Sequence, residues 1–266
     1  MSKVKPKNSV EIEKMRAAGL LAAQTLDFIT PHVKPGVSTE ALDQLCHDFI
    51  IKHGAIPAPL NYRGFPKSIC TSVNDVICHG IPSPEVILQD GDIINIDVTV
   101  IVDGFHGDTS RMYFVGNVSA ERQKLVATTY EAMMLGIQTI KSGSWLSDIG
   151  KAIQQFAESR GYSVVRDYCG HGIGRVFHDH PMVLHYDAQD PSLDMRLRKG
   201  MTFTVEPMIN IGTYEGVTLE DDWTVITADG KDSAQFEHTV LVTDDGFELL
   251  TASPMGLNQP PYAPQG

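Results

Sequence analysis

The chain has 266 residues, of which 42% are hydrophobic and 20% charged, and a formal net charge of −12. A chain of this length buries roughly 70–75% of its unfolded surface, so disorder throughout is excluded and one large or two small domains are expected. The acidic excess disfavours tight binding to a phosphate backbone and is compatible with cationic partners such as peptide amino termini.

The four cysteines, Cys46, Cys70, Cys78 and Cys169, form no CxxC pair. With no signal peptide ahead of them, they read as reduced thiols of a cytoplasmic protein. No apolar run reaches the ~18 residues of a membrane span. Lys3, Lys5 and Lys7 make the one basic run. Residues 1–8 are therefore expected to be a flexible, solvated N-terminus.

Asn8-Ser9-Val10-Glu11 fits a helix capping box, and Ile12, Met15, Gly19, Ala22, Leu26 and Ile29 then recur every three or four residues. Pro31 closes this amphipathic helix; Ser38 caps a second one, which Gly54 stops. From Asp92 the period becomes two, with Ile94, Ile96, Val98 and Val100 on one face. Asp103-Gly104 is a two-residue hairpin turn, and residues 105–115 should return as an antiparallel strand. That register sets Thr99 opposite Asp108 and makes Asp97 a diagonal neighbour on the same face. Two carboxylates then point the same way.

The next segment repeats the first. A helix is predicted over 119–140, Lys141-Ser142-Gly143 matches Lys34-Pro35-Gly36, and Gly161 ends a further helix as Gly54 did, both at an offset of 107 (143 − 36, 161 − 54). Gly91 precedes Asp97 by six residues, as Gly200 precedes Glu206. Cys78-His79-Gly80-Ile81-Pro82 resembles Gly170-His171-Gly172-Ile173-Gly174. Strands are expected at 222–227, 235–243 and up to 251, with Glu237 as the counterpart of Asp108. Pro254, Pro260, Pro261 and Pro264 suggest that 253–266 is a disordered tail.

Duplicated halves meeting across a pseudo-twofold cleft would gather Asp97, Asp108, Glu206 and Glu237 around His171. The glycines beside His171 are expected to leave the imidazole uncrowded and to swing it into that cleft from a loop. Carboxylates about 4 Å apart repel by roughly 4 kcal/mol per pair at an effective dielectric near 20, so something must compensate. Two divalent cations would balance four negative charges. Mostly oxygen donors with a single imidazole suit Mn, Fe(II) or Co, with Zn possible.

At these residues the chain resembles the methionine aminopeptidases of bacterial type I. The resemblance is carried by Tyr168-Cys169-Gly170-His171-Gly172-Ile173-Gly174 with His178, Val183, His185 and Tyr186, and it extends over about 9–251. It implies the pita-bread α/β (α+β) fold, in which two pseudo-symmetric halves, about 9–115 and 119–251, place antiparallel sheets backed by helices around a dinuclear metal cleft. Residues 9–252 would be a single catalytic domain. Asp97 would chelate one metal, His171 and Glu206 the other, with Asp108 and Glu237 bridging.

The same resemblance implies metal-dependent removal of the initiator methionine from nascent polypeptides with a small second residue. Glu206 would shuttle the proton, His178 would stabilise charge on the carbonyl oxygen, and His79 would contact the substrate beside the scissile amide. The methionine pocket would comprise Tyr62, Phe65, Cys70, His79, Phe177 and Trp223. A monovalent cation would sit at Asn74, Val76 and Ser233. Pro59 stands where bacterial relatives often have Cys, and Phe65 where Tyr is common, which alters the pocket rim.

A monomer with no membrane or specific nucleic-acid partner is expected. Residues 207–230 lack Lys and Arg and include Glu215, Glu220, Asp221, Asp222 and Asp229, so any ribosome contact must be weak or lie elsewhere. The nearest rival is a prolidase or aminopeptidase P, but those carry a further histidine where this chain has Arg175. A non-catalytic binding relative should have lost ligands, and here all five remain.

Overall fold

The computed structural model describes residues 4–262. The capping box forms as expected: Asn8 Oδ1 accepts from the Glu11 backbone N–H, and Glu11 Oε2 accepts from that of Asn8, opening α1 (Ser9–Ile29). Ser38 caps α2 (Thr39–Lys52) and Ser119 caps α3 (Ala120–Gln138), each through the backbone N–H three residues on. α4 spans Ser147–Ser159.

The matched glycines share one conformation. Gly36 and Gly143 have φ of +85° and +93°, Gly54 and Gly161 +73° and +83°, Gly91 and Gly200 +98° and +84°. These left-handed angles are where a Cβ is costly, so the repeat read from sequence is a repeat of backbone turns.

A nine-stranded sheet joins the halves. Along it run Ile56–Pro57, Ile93–Val102, Phe105–Phe114, Glu237–Val242, Thr202–Val205, Gly170–Gly172 and Asp179–Val183, with Cys70–Val73 and Phe247–Leu249 paired at the sides. All pairings are antiparallel. The Asp103-Gly104 hairpin sets Thr99 opposite Asp108, as predicted. Ile94, Ile96, Val98 and Val100 are fully buried with Leu26, Ile29 and Leu42 of α1 and α2, each large side chain contributing about 1.5–3 kcal/mol over exposure. A second core beneath α3 and α4 holds Leu125, Met133, Ile149, Ile153, Phe203 and Val240.

The halves meet where the Asp108 strand pairs with the Glu237 strand, Glu237 opposite Ser110 and His238 opposite Thr109. Threonines lock this seam in both directions. Thr109 Oγ1 donates to the Glu237 carbonyl and Thr239 Oγ1 to the Asp108 carbonyl, each at 2.7 Å.

Several expectations needed correction. The strand expected at 222–227 is Val225–Thr227; it pairs with Gly216–Thr218 and, across the halves, with Val76–Cys78. Val76–Cys78 and Cys70–Val73 are short strands that turn chemistry alone did not reveal. Residues 253–262 are not a loose tail: Tyr262 donates to the Met112 carbonyl at 2.9 Å, and Ser253 Oγ donates to Asp27 at 2.7 Å. The N-terminal residues 4–8 are likewise tied down, Lys7 N–H donating to the Gly200 carbonyl at 2.7 Å. Both segments find backbone partners that composition cannot register. Residues 1–3 and 263–266 of those expectations lie outside the described residues.

Candidate active site and metal centre

The face of the sheet opposite α1 and α2 opens into a cavity of about 310 Å³ lined by residues of both halves. Asp97 and Asp108 reach it from the long hairpin, Glu237 from the seam, and Glu206 from the residue after Thr202–Val205. His171 completes the group. Asp108, His171 and Glu237 bring ligand atoms within 4.8 Å of one another. His171 Nε2 lies 3.5 Å from Asp108 Oδ2 and 3.6 Å from Glu206 Oε1.

His171 sits on the short strand Gly170–Gly172, not on the loop expected from its glycines. Those glycines serve close approach: a Cβ on Gly170 would lie 2.3 Å from the Thr204 carbonyl oxygen, and one on Gly172 2.0 Å from that of His180. The imidazole Nδ1 faces the Gly172 carbonyl at 3.1 Å, which holds the proton on Nδ1 and leaves Nε2 as the ligand atom.

Supporting groups orient the carboxylates. Thr99 Oγ1 donates to Asp108 Oδ1 and Thr204 Oγ1 to Glu206 Oε1, both at 2.6 Å, while Thr204 Oγ1 also accepts from the His171 N–H. His185, fully buried, accepts the Glu206 N–H on Nε2 at 3.1 Å. Burial holds its pKa down at about 3, so it stays neutral. None of these supports was given that role from sequence; Thr99 was placed opposite Asp108 and His185 belonged to the signature, while Thr204 left no trace.

Burial, then the charges of Asp108 and Glu206, push Asp97 well above the carboxylate range. Burial and the neighbouring acids do the same to Glu237. Burial raises Glu206 to about 7, partly offset by His171. Burial alone would lower His171, but Asp108 and Glu206 outweigh it and lift the imidazole to about 9. With protons alone to balance it, the cluster retains them, which marks a site built for positive charge. Asp97 Oδ1 is buried without a hydrogen-bond partner. Oxygen donors, one imidazole and an orphaned carboxylate oxygen fit a divalent cation.

Around this cluster the expected pocket residues converge. Phe65 meets Trp223 edge-on at 5.2 Å, His79 meets Trp223 edge-on at 6.1 Å, and Tyr62 lies 4.9 Å from Phe177. Cys70 lines the same cavity, and burial pushes its thiol pKa up. His178 stacks on Phe177 at 4.1 Å, with its ring 4.3 Å from His171 and its Nδ1 2.9 Å from the Tyr62 hydroxyl. Burial, aided by the charges of His171, His79 and Arg63, lowers His178 to about 4. His79 holds a left-handed backbone, φ +57°, a conformation that clusters at functional sites.

Asn74, Val76 and Ser233 lie together away from the cleft residues: Ser233 N–H donates to the Asn74 carbonyl at 2.9 Å, and Ser233 Oγ is buried without a partner. A cavity of about 380 Å³ between α4 and residues 186–194 includes Trp145, Met182 and Leu193. No histidine lines it, and the chemistry lies in the smaller cleft.

Comparison with known proteins agrees with this geometry. Residues 13–244 match the model of metallopeptidase family M24. A methionine aminopeptidase of Rickettsia prowazekii is 61% identical over 250 residues, covering 94% of this chain and 95% of that protein. A crystal structure of methionine aminopeptidase from Rickettsia prowazekii superposes with a TM-score of 0.90 at 58% identity, covering 94% of this chain and all of the other. An X-Pro aminopeptidase structure from Thermotoga maritima shares the fold at a TM-score of 0.73 and 21% identity, covering 94% of this chain and 63% of its own.

Proposed function

The chain belongs to metallopeptidase family M24 and, within it, to the methionine aminopeptidases, and from that premise we propose how its residues divide the reaction. The activity is hydrolytic release of the initiator methionine. The observation that carries the site assignment is one cavity lined by Asp97, Asp108, Glu206 and Glu237, in which His171 Nε2 lies 3.5 Å from Asp108 and 3.6 Å from Glu206.

Two divalent ions are inferred, which Asp97, Asp108, His171, Glu206 and Glu237 would hold. Co, Mn, Fe(II) and Zn all suit the donor set. Such ions supply Lewis-acid polarisation of a carbonyl and acidification of water.

The protein's own groups do the rest. Glu206 accepts a proton from the attacking water and passes it to the leaving nitrogen; its place in the cleft beside His171 and an orientation fixed by Thr204 support this role. The Tyr62 hydroxyl donates to His178 Nδ1, so the neutral ring presents Nε2–H to the carbonyl oxygen as charge develops there. His79 contacts the substrate beside the departing amide. Tyr62, Phe65, Cys70, His79, Phe177 and Trp223 hold the methionine side chain, whose thioether is favoured by aromatic edges and soft sulfur.

The substrates are amino termini of nascent chains with a small second residue. The unpartnered Ser233 hydroxyl with the Asn74 and Val76 carbonyls suits a structural monovalent cation. Four free cysteines fit a cytoplasmic protein, and no helix among the described residues is long and apolar enough to cross a membrane.

The test is cleavage of Met-Ala-Ser, Met-Leu-Ser and an Xaa-Pro dipeptide by metal-loaded protein, before and after chelation. Methionine should be released from the first peptide alone and only with metal. Cleavage of the Xaa-Pro dipeptide instead would move the chain to the other branch of the fold.

A further inference from the structure

The cleft wall that carries His178 ends in a cation. Arg63 is the one Lys or Arg among the residues lining the cavity. It is exposed, and its guanidinium lies over the Tyr62 ring, 5.3 Å from the centroid. No carboxylate of the described residues forms an ion pair with it. Its backbone is left-handed at φ +49°, between Asn61 at +66° and Gly64 at +91°. Backbone of this kind in a non-glycine residue clusters at functional sites. The turn is held by Asn61 N–H to the Phe65 carbonyl at 2.8 Å and Phe65 N–H to the Tyr62 carbonyl at 3.0 Å.

The distance to the reacting centre follows from the ring contacts. Tyr62 lies 5.2 Å from His178, and His178 4.3 Å from His171. The guanidinium therefore stands no more than about 15 Å from the His171 ring, within reach of the first four residues of an extended chain at about 3.3–3.6 Å each. Other charges lining or rimming the cleft are acidic: Asp167 lines it, and exposed Asp221 and Asp222 precede Trp223. An anionic side chain leaving the cleft therefore meets one favourable group.

We propose that Arg63 is a specificity residue that reads charge at the third or fourth residue of the substrate, favouring Asp or Glu there over neutral and basic side chains. The inference rests on the aminopeptidase reading above. A guanidinium stacked on an aromatic ring keeps its in-plane N–H donors free for a carboxylate, and the stacking has already limited the side chain's freedom. Because the pair is exposed, its effect is modest and weakens with salt.

The experiment uses the full metal-loaded chain and amidated five-residue peptides, Met-Ala-Ser-Xaa-Gly and Met-Ala-Xaa-Ser-Gly, with Asp, Asn or Lys at Xaa. Peptides compete in one tube, so the ratio of kcat/KM values is independent of how much protein is active. At one of the two positions Asp should exceed Asn by about three- to fivefold, and Lys should rank last. The ratio should fall to about one in Arg63→Gln and favour Lys in Arg63→Glu. Equal cleavage of Asp and Asn peptides, a preference for Lys, or an unchanged ratio in Arg63→Gln overturns the inference alone. Release of no methionine from any peptide overturns the aminopeptidase reading and the inference with it.

Discussion

The two halves place the same backbone around the cleft and then use it differently. Each presents two carboxylates from an antiparallel pair, aspartates 97 and 108 from one half and glutamates 206 and 237 from the other. Each also brings a histidine, but only His171 lies within 3.6 Å of the carboxylates. His171 lies between Gly170 and Gly172, whose missing Cβ atoms let the strand tuck against Thr204 and His180. His79 has Cys78 on one side and a left-handed backbone of its own, and its ring turns to Tyr168 and Trp223 instead. Duplication supplied equivalent positions with a tightly packed glycine after each histidine, and the left-handed backbone at His79 is what separates them.

The sharpest way to break this contrast is to delete both histidines in turn. His171→Ala should lose tight binding of one metal equivalent and lower kcat/KM by about 10³-fold or more, the scale of a lost Lewis acid. His79→Ala should retain both equivalents. Metal content by elemental analysis decides, and full occupancy in His171→Ala would remove it from the ligand set.

A second contrast lies three residues beyond each seam carboxylate. Arg111 follows Asp108 at that spacing and pairs with Asp27 at 2.5 Å in a fully enclosed site, where Val240 follows Glu237 into an apolar core. Arg111→Met leaves the Asp27 charge buried and should cost about 3–5 kcal/mol, lowering Tm by roughly 10 °C. Adding Asp27→Leu should recover most of that loss. An unchanged Tm in the single variant would mean that the pair makes no net contribution to stability.

His178 has no counterpart in the first half. His178→Ala should lower kcat by roughly 10²–10³ with KM and metal content kept, the expected loss of one oxyanion donor. A change confined to KM would assign it to binding.

The smallest effect separates two threonines. Thr99→Val removes one hydrogen bond to Asp108 and should weaken metal affinity about tenfold. Thr204→Val removes a bond to Glu206 and strands the His171 N–H, so it should approach 100-fold. Equal losses in a metal titration would show that the halves support their carboxylates alike.

Much of the local structure was written in residue order. The capping box at Asn8, the Asp103-Gly104 turn with its Thr99–Asp108 register, and the left-handed glycine pairs all depend on interactions within a few residues. The signature around His171 pointed to the acids and aromatic rings that line the cleft. Other contacts escaped because their partners are remote: the bond from Glu206 N–H to the signature's His185, Asp27 84 residues from Arg111, and Tyr262 150 residues from Met112. The Val76–Cys78 strand waited on a partner in the other half.

Sequence by itself therefore determined most of the elements, the duplication and which acids and imidazole line the cleft, since periodicity, turn preference and donor type are properties of the residues themselves. Tertiary structure alone decided which histidine faced the cluster, which hydroxyls aimed the carboxylates, and that Arg63 stood unpaired at the mouth. Those outcomes depend on backbones packing within van der Waals distance and on charges brought together by burial, and neither is defined until the two halves close on each other.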